Sequence, residues 1–266
     1  MEPPDTPVVA SAPPRQLARL LNLFGWSMVL ALLIVSARQT GFSLEALMGG
    51  ATDFFDFFTK LTPDWRALSE VWKPLLETIQ IAYLATLFGS LLTAPLIFLA
   101  SYNTTINLPV MWLARALLTL LRSIPDLLYA ALLAPILSPG PLPGVVALTI
   151  FTMAVLAKLG SETVEAIDPG PLEALRATGA DRNQVIVYAA LPQIAATMLS
   201  YVLYVFEINV RASVVIGLVG AGGIGVLLNT YLSFFDYGGV SVLILITFAV
   251  VLIIDGISVY VRSKLI

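Results

Sequence analysis

Six long apolar segments dominate this sequence and restrict the folds open to it. They cover residues 17–37, 75–100, 112–137, 143–160, 193–218 and 239–261. Each is close to the ~20 residues that an α-helix needs to cross a bilayer, and the runs are continuous rather than alternating, which predicts helices and not a barrel. The composition agrees, because only 12% of the residues are charged and 58% are hydrophobic. We therefore predict an all-α integral membrane protein with six transmembrane helices.

The rest of the chain divides by composition. Residues 1–16 are rich in Pro, Ala and Ser and are predicted to be a disordered cytoplasmic tail. Residues 17–74 hold the first transmembrane helix and then, over 42–73, a mixture of acids and aromatics that indicates an amphipathic stretch along the outer face. Residues 75–266 form the main transmembrane domain, with five helices.

The basic residues predict the orientation of the chain in the membrane. With the tail inside, nine fall at or inside the inner edge and four fall outside. The inner set is Arg15, Arg19, Arg115, Arg122, Lys158, Arg176, Arg182, Arg262 and Lys264, and the outer set is Arg38, Lys60, Arg66 and Lys73. Because positive charge accumulates on the cytoplasmic side, both termini are predicted to be cytoplasmic.

The chain contains no cysteine and no histidine. Disulfides, thiol nucleophiles, imidazole catalysis and most zinc sites are therefore excluded, and we predict no catalytic residue and no metal site. A stand-alone intramembrane enzyme would need a pair drawn from Asp, Glu, Lys and Ser, and no recognisable catalytic arrangement of these is present. A passive channel is a second alternative.

The segment Glu162–Pro192 is the longest polar interval in the second half of the chain. Asp168 and the prolines after it predict a helix start, and Gly179 predicts a left-handed helix end. Asp181 is expected to cap a second helix that Pro192 interrupts. Two short helices joined at a glycine, between membrane spans, form a shape to which another protein can dock.

This loop resembles the EAA loop of bacterial ABC importer permeases. The resemblance lies in Glu173-Ala174, the glycine six residues after that Glu, and Leu191-Pro192, with Leu175 standing where a second alanine is common. In that family the loop is the coupling helix that docks into a groove of the cytoplasmic ATPase. The residues that the resemblance implies in coupling are Glu173, Ala174, Leu175, Gly179, Ala180, Leu191 and Pro192.

Charged residues within a membrane are costly and therefore mark candidate functional sites. Glu207 and Arg211 lie four residues apart on one helix face, with Asn209 between them. They form either a structural ion pair or the lining of a translocation cavity in which the arginine meets an anion, and both readings can hold together.

A second group lies around a proline of the third span. Arg122 and Asp126 flank Pro125, which is expected to kink the helix, and both are candidates for the translocation path. Arg115 shares a face with Arg122 and is interpreted as a residue that snorkels to the inner edge. Asp255, in the last span, is assigned a helix-packing role only.

The stretch from 217 to 225 contains G-x-G-x-x-G as GAGGIG. A dinucleotide site is rejected because a membrane span precedes it, where the fingerprint requires a strand. No P-loop lysine follows it. The glycines instead predict a tight re-entrant turn or a hinge at the outer mouth, with positive φ open to five residues. These hinge or gate candidates are Gly217, Gly220, Gly222, Gly223 and Gly225.

A narrower resemblance joins these motifs. The blocks at 158–180 and 207–225, supported by shorter ones at 100–103, 115–128 and 140–148, are similar to the permease of bacterial phosphonate ABC importers. This implies a type I importer with two permease subunits, identical or paralogous, an ATPase dimer that binds ATP and magnesium, and an external phosphonate-binding protein. This chain would bind no cofactor. Phosphate, phosphite or hypophosphite remain alternative cargoes of the same machinery.

Overall fold

The computed structural model describes residues 15–265, which divide into two compact units, one up to Lys60 and one from Leu61 onward. Most of the predicted disordered tail lies outside the described residues. Arg15 and Gln16 were included in that tail, but they belong to the first helix, so its boundary was placed two residues too late.

Every regular element in residues 15–265 is helical. The helices are α1 Arg15–Gln39, α2 Leu44–Lys60, α3 Leu68–Ala100, α4 Leu108–Ser123, α5 Asp126–Leu137, α6 Pro141–Glu165, α7 Pro169–Ala177, α8 Arg182–Val185, α9 Leu191–Gly217, α10 Ile224–Ser233 and α11 Tyr237–Leu265. A 3₁₀ turn, Trp65–Ala67, precedes α3, and a π turn, Ile186–Ala190, joins α8 to α9.

The first unit consists of two helices. α1 is 25 residues long, and its Asn22–Gln39 part is apolar enough to cross a membrane, as expected for the first span. α2 carries a row of phenylalanines, with the rings of Phe54 and Phe58 centred 4.8 Å apart. The predicted amphipathic stretch over 42–73 is not continuous, because the helix ends at Lys60 and the chain is irregular up to Asp64. Pro63 disfavours helix in the residue before it, and this accounts for the break.

The core of the second unit forms where α3, α6 and α9 meet. Ile81 and Ala85 of α3 pack with Ala147 and Leu148 of α6 and with Ile216 of α9, and all five are buried. The small side chains of Ala85 and Ala147 allow the helix backbones to approach closely, which is how membrane helices gain packing energy. α6 also packs against α4 and α5, so it is the central helix of the unit.

The third predicted span is not one helix. α4 and α5 meet at an angle of 82°, with Ile124 in an extended conformation before Pro125. Proline disfavours the helical conformation in the residue before it, and Ile124 is extended, so the chain breaks here rather than kinking. Among the described residues five helices are long and apolar enough to cross a membrane, and the bent α4–α5 pair brings the number to six.

Candidate functional site

The loop between α6 and α9 begins with two short helices, each capped by an aspartate. The Asp168 carboxylate accepts a hydrogen bond from the Gly170 N–H at 2.9 Å at the start of α7. Asp181 accepts from the Gln184 N–H at 2.8 Å, and the Gln184 side chain accepts from the Asp181 N–H at 2.8 Å. This reciprocal pair is a capping box, so the predicted helix start at Asp168 and the predicted cap at Asp181 are confirmed.

Gly179 ends α7 in the left-handed conformation, with φ at +85°. Its N–H donates to the Arg176 carbonyl at 3.0 Å, and the Ala180 N–H donates to the Leu175 carbonyl at 3.1 Å. These two bonds define a Schellman motif, which satisfies carbonyls that the helix leaves unpaired. A Cβ at this position would meet nothing within 4 Å, so glycine is required here only for its backbone conformation.

The predicted interruption at Pro192 is wrong. α8, the π turn and α9 form one continuous helical segment, Arg182–Gly217. In the π turn the Leu191 N–H donates to the carbonyl of Ile186, five residues earlier, and Pro192 lies in the first turn of α9. The wider turn takes the chain past a residue that has no N–H, so the helix continues into the membrane.

The two faces of the loop differ. The inner face is an apolar cluster in which Leu172, Val185 and Ala189 are buried and Ile167, Leu175 and Ala180 are partly buried. Leu175 and Ala180, candidates for coupling, therefore help to hold the loop together from beneath. Glu173 and Ala174 are exposed, and so is Tyr188, at 71%. The sequence reading missed Tyr188 because an aromatic residue at helical spacing usually indicates a core position.

Two arginines fix the loop to the connection between α3 and α4. A guanidinium nitrogen of Arg176 donates to the Asn103 carbonyl at 2.6 Å, and Arg182 Nε donates to the Thr104 carbonyl. The Asn103 side-chain amide in turn donates to the Val164 carbonyl near the end of α6 at 2.8 Å. The α3–α4 connection therefore braces both short helices from one side.

Arg115 of α4 strengthens the same junction. Its guanidinium pairs with the carboxylate of Glu165, the last residue of α6, and its Nε donates to the Ala100 carbonyl at 2.8 Å. The same Glu165 oxygen accepts from the Tyr102 N–H at 2.9 Å. The interpretation of Arg115 as a snorkelling residue stays a prediction, and the structure adds an ion pair to it. The pair spans 50 residues, so no local pattern could reveal it.

Gln193 ties the two ends of the loop together. Its carbonyl oxygen accepts from the Asp168 N–H at 3.2 Å. Its amide nitrogen donates to the Ala189 carbonyl at 3.0 Å and lies 3.4 Å from the Asp168 carbonyl. Local spacing gives no indication of this contact, because 25 residues separate Gln193 from Asp168.

The acidic residue within α9 binds two cations. The Glu207 carboxylate pairs with Arg211, as the spacing predicts, and with Arg262 of α11 at 3.1 Å. Glu207 is 6% exposed, whereas the Arg211 side chain is 51% exposed. Arg211 therefore combines a structural pairing with an accessible guanidinium face. Asp255, expected to pack α11, forms no hydrogen bond or ion pair with any residue from 15 to 265.

Asn209 does not share the face of Glu207 and Arg211. It is fully buried, and its amide nitrogen donates to the hydroxyls of Thr86 at 2.9 Å and Thr152 at 2.7 Å. Two residues along a helix correspond to a turn of about 200°, so it faces the core shared with α3 and α6. The assignment of Asn209 to the translocation path is corrected to a packing role.

Arg122 and Asp126 lie on opposite sides of the α4–α5 bend. Arg122 is exposed in the last turn of α4 and lines a cavity of about 280 Å³ that also holds Lys158. Asp126 is the first residue of α5, and its carboxylate accepts from the neighbouring Leu127 N–H at 2.9 Å. Asp126 does not line that cavity, so the bend separates these two path candidates.

The glycine segment forms a tight turn between α9 and α10. Gly220, Gly222 and Gly223 have positive φ, at +86°, +82° and +73°. Gly217 and Gly225 are helical, so the expectation of five positive-φ positions is corrected to three. These two glycines are instead required for space, because their Cα atoms approach so closely that a Cβ on either would lie 2.7 Å from the other's Cα.

Two polar residues of α3 hold this turn. The Gly223 N–H donates to the Glu77 carboxylate at 3.0 Å, and the Ile224 N–H donates to the Thr78 hydroxyl at 2.7 Å. The start of α10 is thus capped by a different helix rather than by its own residues. The sequence gives no indication of this because 146 residues separate the partners.

A bundle of apolar helices with one capped and braced loop at its end is the architecture of a multi-pass membrane permease. The chain belongs to the family described as binding-protein-dependent transport system inner membrane component, which it matches over residues 95–266. It is therefore the permease subunit of an ABC transporter and not an enzyme, as the loop resemblance implied.

The names of three similar proteins refer to three different phosphorus oxyanions. The chain is 34% identical over 211 residues to the phosphate-import permease protein PhnE of Mycolicibacterium smegmatis, covering 79% of this chain and 40% of the relative. It is 32% identical over 246 residues to the putative phosphite transport system permease protein HtxC of Stutzerimonas stutzeri, covering 92% and 87%. It is 46% identical over 120 residues to the putative cryptic phosphonate transport system permease protein PhnE2 of Escherichia coli K12, covering 45% and 98%.

The fold has a solved counterpart. The structure is similar to a chain of the MetNI methionine ABC transporter in an inward-facing crystal form, with a TM-score of 0.67 and 19% sequence identity. The similarity covers 76% of this chain and 99% of that one. The predicted type I importer permease fold is confirmed.

Proposed function

We propose that this chain is the permease subunit of an ATP-driven importer that moves phosphonates across a bacterial cytoplasmic membrane by alternating access. The names of the relatives support a tetrahedral phosphorus oxyanion as cargo. Phosphonate follows from the dense sequence blocks at 158–180 and 207–225. The alternative is that the same machinery imports phosphate, phosphite or hypophosphite. The names of the phosphate and phosphite relatives support this alternative.

The observation that carries the proposal is the bracing of the coupling loop (residues 162–192). Arg176 and Arg182 hold it on one side and Gln193 holds it on the other. The exposed face with Glu173 and Tyr188 is then presented on a rigid support. A rigid loop that is continuous with α9 transmits a displacement of the ATPase to the membrane helices as a rigid-body movement.

The proposed assembly has four further subunits, namely a second permease, two ATPases and an external binding protein. Each chain carries one coupling loop and an ATPase dimer has two grooves, so a second permease copy or a paralogue is required. An external phosphonate-binding protein delivers the cargo. ATP and magnesium are bound by the ATPase, and this chain binds no cofactor.

The proposed orientation puts the coupling loop and both termini in the cytoplasm. With that orientation, Arg211 and Arg122 are the candidates for contact with the anion in the path. Arg211 keeps donor groups free beyond its bond to Glu207, because a guanidinium has five N–H donors. Selectivity then resides mainly in the external binding protein, and weak attraction within the permease allows release.

The first test examines coupling at Gly179. Gly179→Asp places a negative charge on the exposed surface without any clash, because a Cβ there meets nothing within 4 Å. Gly179→Asn is the matched control, since Asn has the same shape and also tolerates the left-handed conformation. We expect Asp to abolish uptake while membrane insertion and copurification of the subunits are preserved, and Asn to retain most activity. Wild-type uptake by the Asp variant would refute the coupling role.

The second test identifies the cargo. The complex is reconstituted in lipid with its ATPase and binding protein, and ATP hydrolysis is measured with 2-aminoethylphosphonate, phosphite or phosphate. Stimulation by the phosphonate-loaded binding protein is the expected result. Stimulation by phosphate or phosphite alone would replace the cargo and keep the machinery, and no stimulation by any loaded protein would refute the importer.

A further inference from the structure

A cavity of about 280 Å³ lies between α4 and α6, outside the coupling loop's exposed face. Its wall carries three cations, two carboxylates and an aromatic ring. These residues are Arg115, Arg122, Lys158, Glu162, Glu165 and Trp112. A permease cavity with this density of charge requires an account of where each charge is compensated.

One cation is neutralised within the wall. Arg115 pairs with Glu165 and also donates to the Ala100 carbonyl. Glu165 accepts a further hydrogen bond from the Tyr102 N–H. These two charges cancel each other, so this end of the cavity is a fixed structural support.

A second cation is only loosely paired. Lys158 Nζ lies 2.6 Å from a Glu162 carboxylate oxygen, one helical turn away, and the two side chains are 48% and 55% exposed. Exposed pairs of this kind contribute little energy and exchange partners readily. The ammonium has three donors and uses one here, so it can bind a second acceptor without leaving Glu162.

The third cation is left over. Arg122 is exposed to the cavity, and its guanidinium forms no ion pair or hydrogen bond with any other residue in the described part of the chain. Three cations facing two carboxylates leave one net positive charge. The uncompensated charge is that of Arg122, whose guanidinium donors are all free within residues 15–265. The planar guanidinium matches two oxygens of an oxyanion.

The position of the cavity fits the inner side of a membrane. Arg122 is seven residues beyond Arg115 on α4, which places it about 10 Å further from the braced end of the bundle. Trp112 is 63% exposed on the same wall, as is typical of aromatic residues at a membrane interface. Basic pockets between membrane helices on the cytoplasmic side bind anionic head groups.

We propose that the α4–α6 cavity binds a phosphorus oxyanion between Arg122 and Lys158. The ligand is either the phosphate of an anionic phospholipid head group or a free phosphonate or phosphate. The two share one chemistry, namely two or three anionic oxygens on a tetrahedral phosphorus. The lipid source rests on the geometry and on the proposed orientation of the chain, whereas the soluble source rests on the proposed function as a whole.

A simpler role for Arg122 would be compensation of the dipole at the C-terminal end of α4, where a cation is favourable. That role needs only a positive charge and is independent of Lys158 and Glu162. An oxyanion site predicts a different result at Glu162. Because the Glu162 carboxylate competes for Lys158, removing it should strengthen ligand binding.

The experiment uses the purified permease–ATPase complex and native mass spectrometry. The complex is titrated with phosphatidylglycerol, with phosphatidylcholine as the neutral comparison, in the absence and presence of millimolar methylphosphonate. The variants are Arg122→Gln, Arg122→Lys and Glu162→Gln. Lys73→Gln is the control, because it removes an exposed cation near the start of α3.

We expect Arg122→Gln to weaken phosphatidylglycerol binding about tenfold, the effect of losing a charge-assisted contact. Arg122→Lys should lose part of that affinity, Glu162→Gln should bind several-fold more tightly, and the control should match wild type. Tighter binding by a variant cannot result from misfolding. Copurified ATPase in each variant shows that assembly is intact.

The competition arm separates the two ligand sources. If methylphosphonate does not displace the lipid, the ligand is the head group. If it does, with the same order of variants, the ligand is the soluble oxyanion. Equal binding of both probes by wild type and Arg122→Gln would overturn the proposal. That result would leave ATP hydrolysis stimulated by the loaded binding protein untouched, so failure here differs from failure of the proposed function.

Discussion

The coupling loop and the glycine turn (residues 217–225) both reverse the chain through left-handed glycines, and they depend on glycine for different reasons. At Gly179 φ is +85° and a Cβ would meet nothing within 4 Å. At Gly222 φ is +82°, and a Cβ would also lie 2.8 Å from the Pro141 Cα and 2.8 Å from a Glu77 carboxylate oxygen. The first glycine needs conformation alone, and the second needs conformation and space.

The difference separates an accessible element from a fixed one. The coupling loop is held by side chains that donate to backbone carbonyls, and its outer surface is open to a partner. The glycine turn is wedged against α3 and α6, so it cannot rearrange without moving those helices. Its suggested role as a tight turn fits this packing, while the hinge role stays a prediction.

The largest expected effect on stability is at Gly225. A Cβ there would lie 2.1 Å from the Val214 carbonyl oxygen, and both atoms belong to packed helices. We expect Gly225→Ala to lower the free energy of unfolding by roughly 3 kcal/mol, measured by thermal unfolding in detergent. Gly256→Ala in α11 is the control, because nothing lies within 4 Å of its Cβ position. Equal melting temperatures for the two variants would show that Gly225 is not required for close packing. The proposed difference between glycines needed for space and glycines needed for positive φ would then be wrong.

The cap supplied by Thr78 should have the next largest effect. Its hydroxyl accepts from the Ile224 N–H at 2.7 Å, and both residues are buried. Thr78→Val keeps the shape and leaves that N–H without a partner, which costs about 2 kcal/mol in the unfolding free energy. Thr230→Val is the matched control, since that exposed hydroxyl donates only to the Val226 carbonyl of its own helix. A loss no greater than that of the control would show that the cap contributes nothing.

Gly179→Ala should cost less than either change in the glycine turn. The only penalty is the left-handed backbone, about 1 kcal/mol for alanine and less for asparagine. The unfolding free energies of the Ala and Asn variants measured side by side give this term directly. A loss as large as that of Gly225→Ala would mean that the coupling loop is as tightly constrained as the glycine turn.

Arg176→Gln should have the smallest effect on unfolding, roughly 0.5 kcal/mol, because its bond to the Asn103 carbonyl lies at an exposed position. The same change loosens the brace of the coupling loop. ATP hydrolysis stimulated by the binding protein should therefore fall several-fold while the melting temperature hardly changes. Arg66→Gln, an exposed cation outside the loop, is the control and should alter neither quantity. Stimulation that stays intact in Arg176→Gln would show that bracing is not needed for coupling.

Features that depend on neighbours in the chain were available from the sequence. Long apolar runs predicted the spans because a helix satisfies its own backbone wherever it lies in a membrane. Asp168, Gly179 and Asp181 predicted the caps and the turn of the coupling loop, since each acts within a few residues of itself. The family followed from motifs in the same local stretches. The boundary errors, such as the interruption expected at Pro192, arose where a π turn replaced the usual helix geometry.

The partners of polar side chains were decided only by the tertiary structure. Arg115 faces Glu165, Glu207 receives Arg262 as well as Arg211, and Asn209 turns inward to two threonines. The spacing of residues along one helix gives a face but does not give the helix that packs against it. Burial makes an unpaired polar group costly, so these long-range bonds are strongly favoured in the folded state. They cannot be read from the sequence because they form only when the helices pack together.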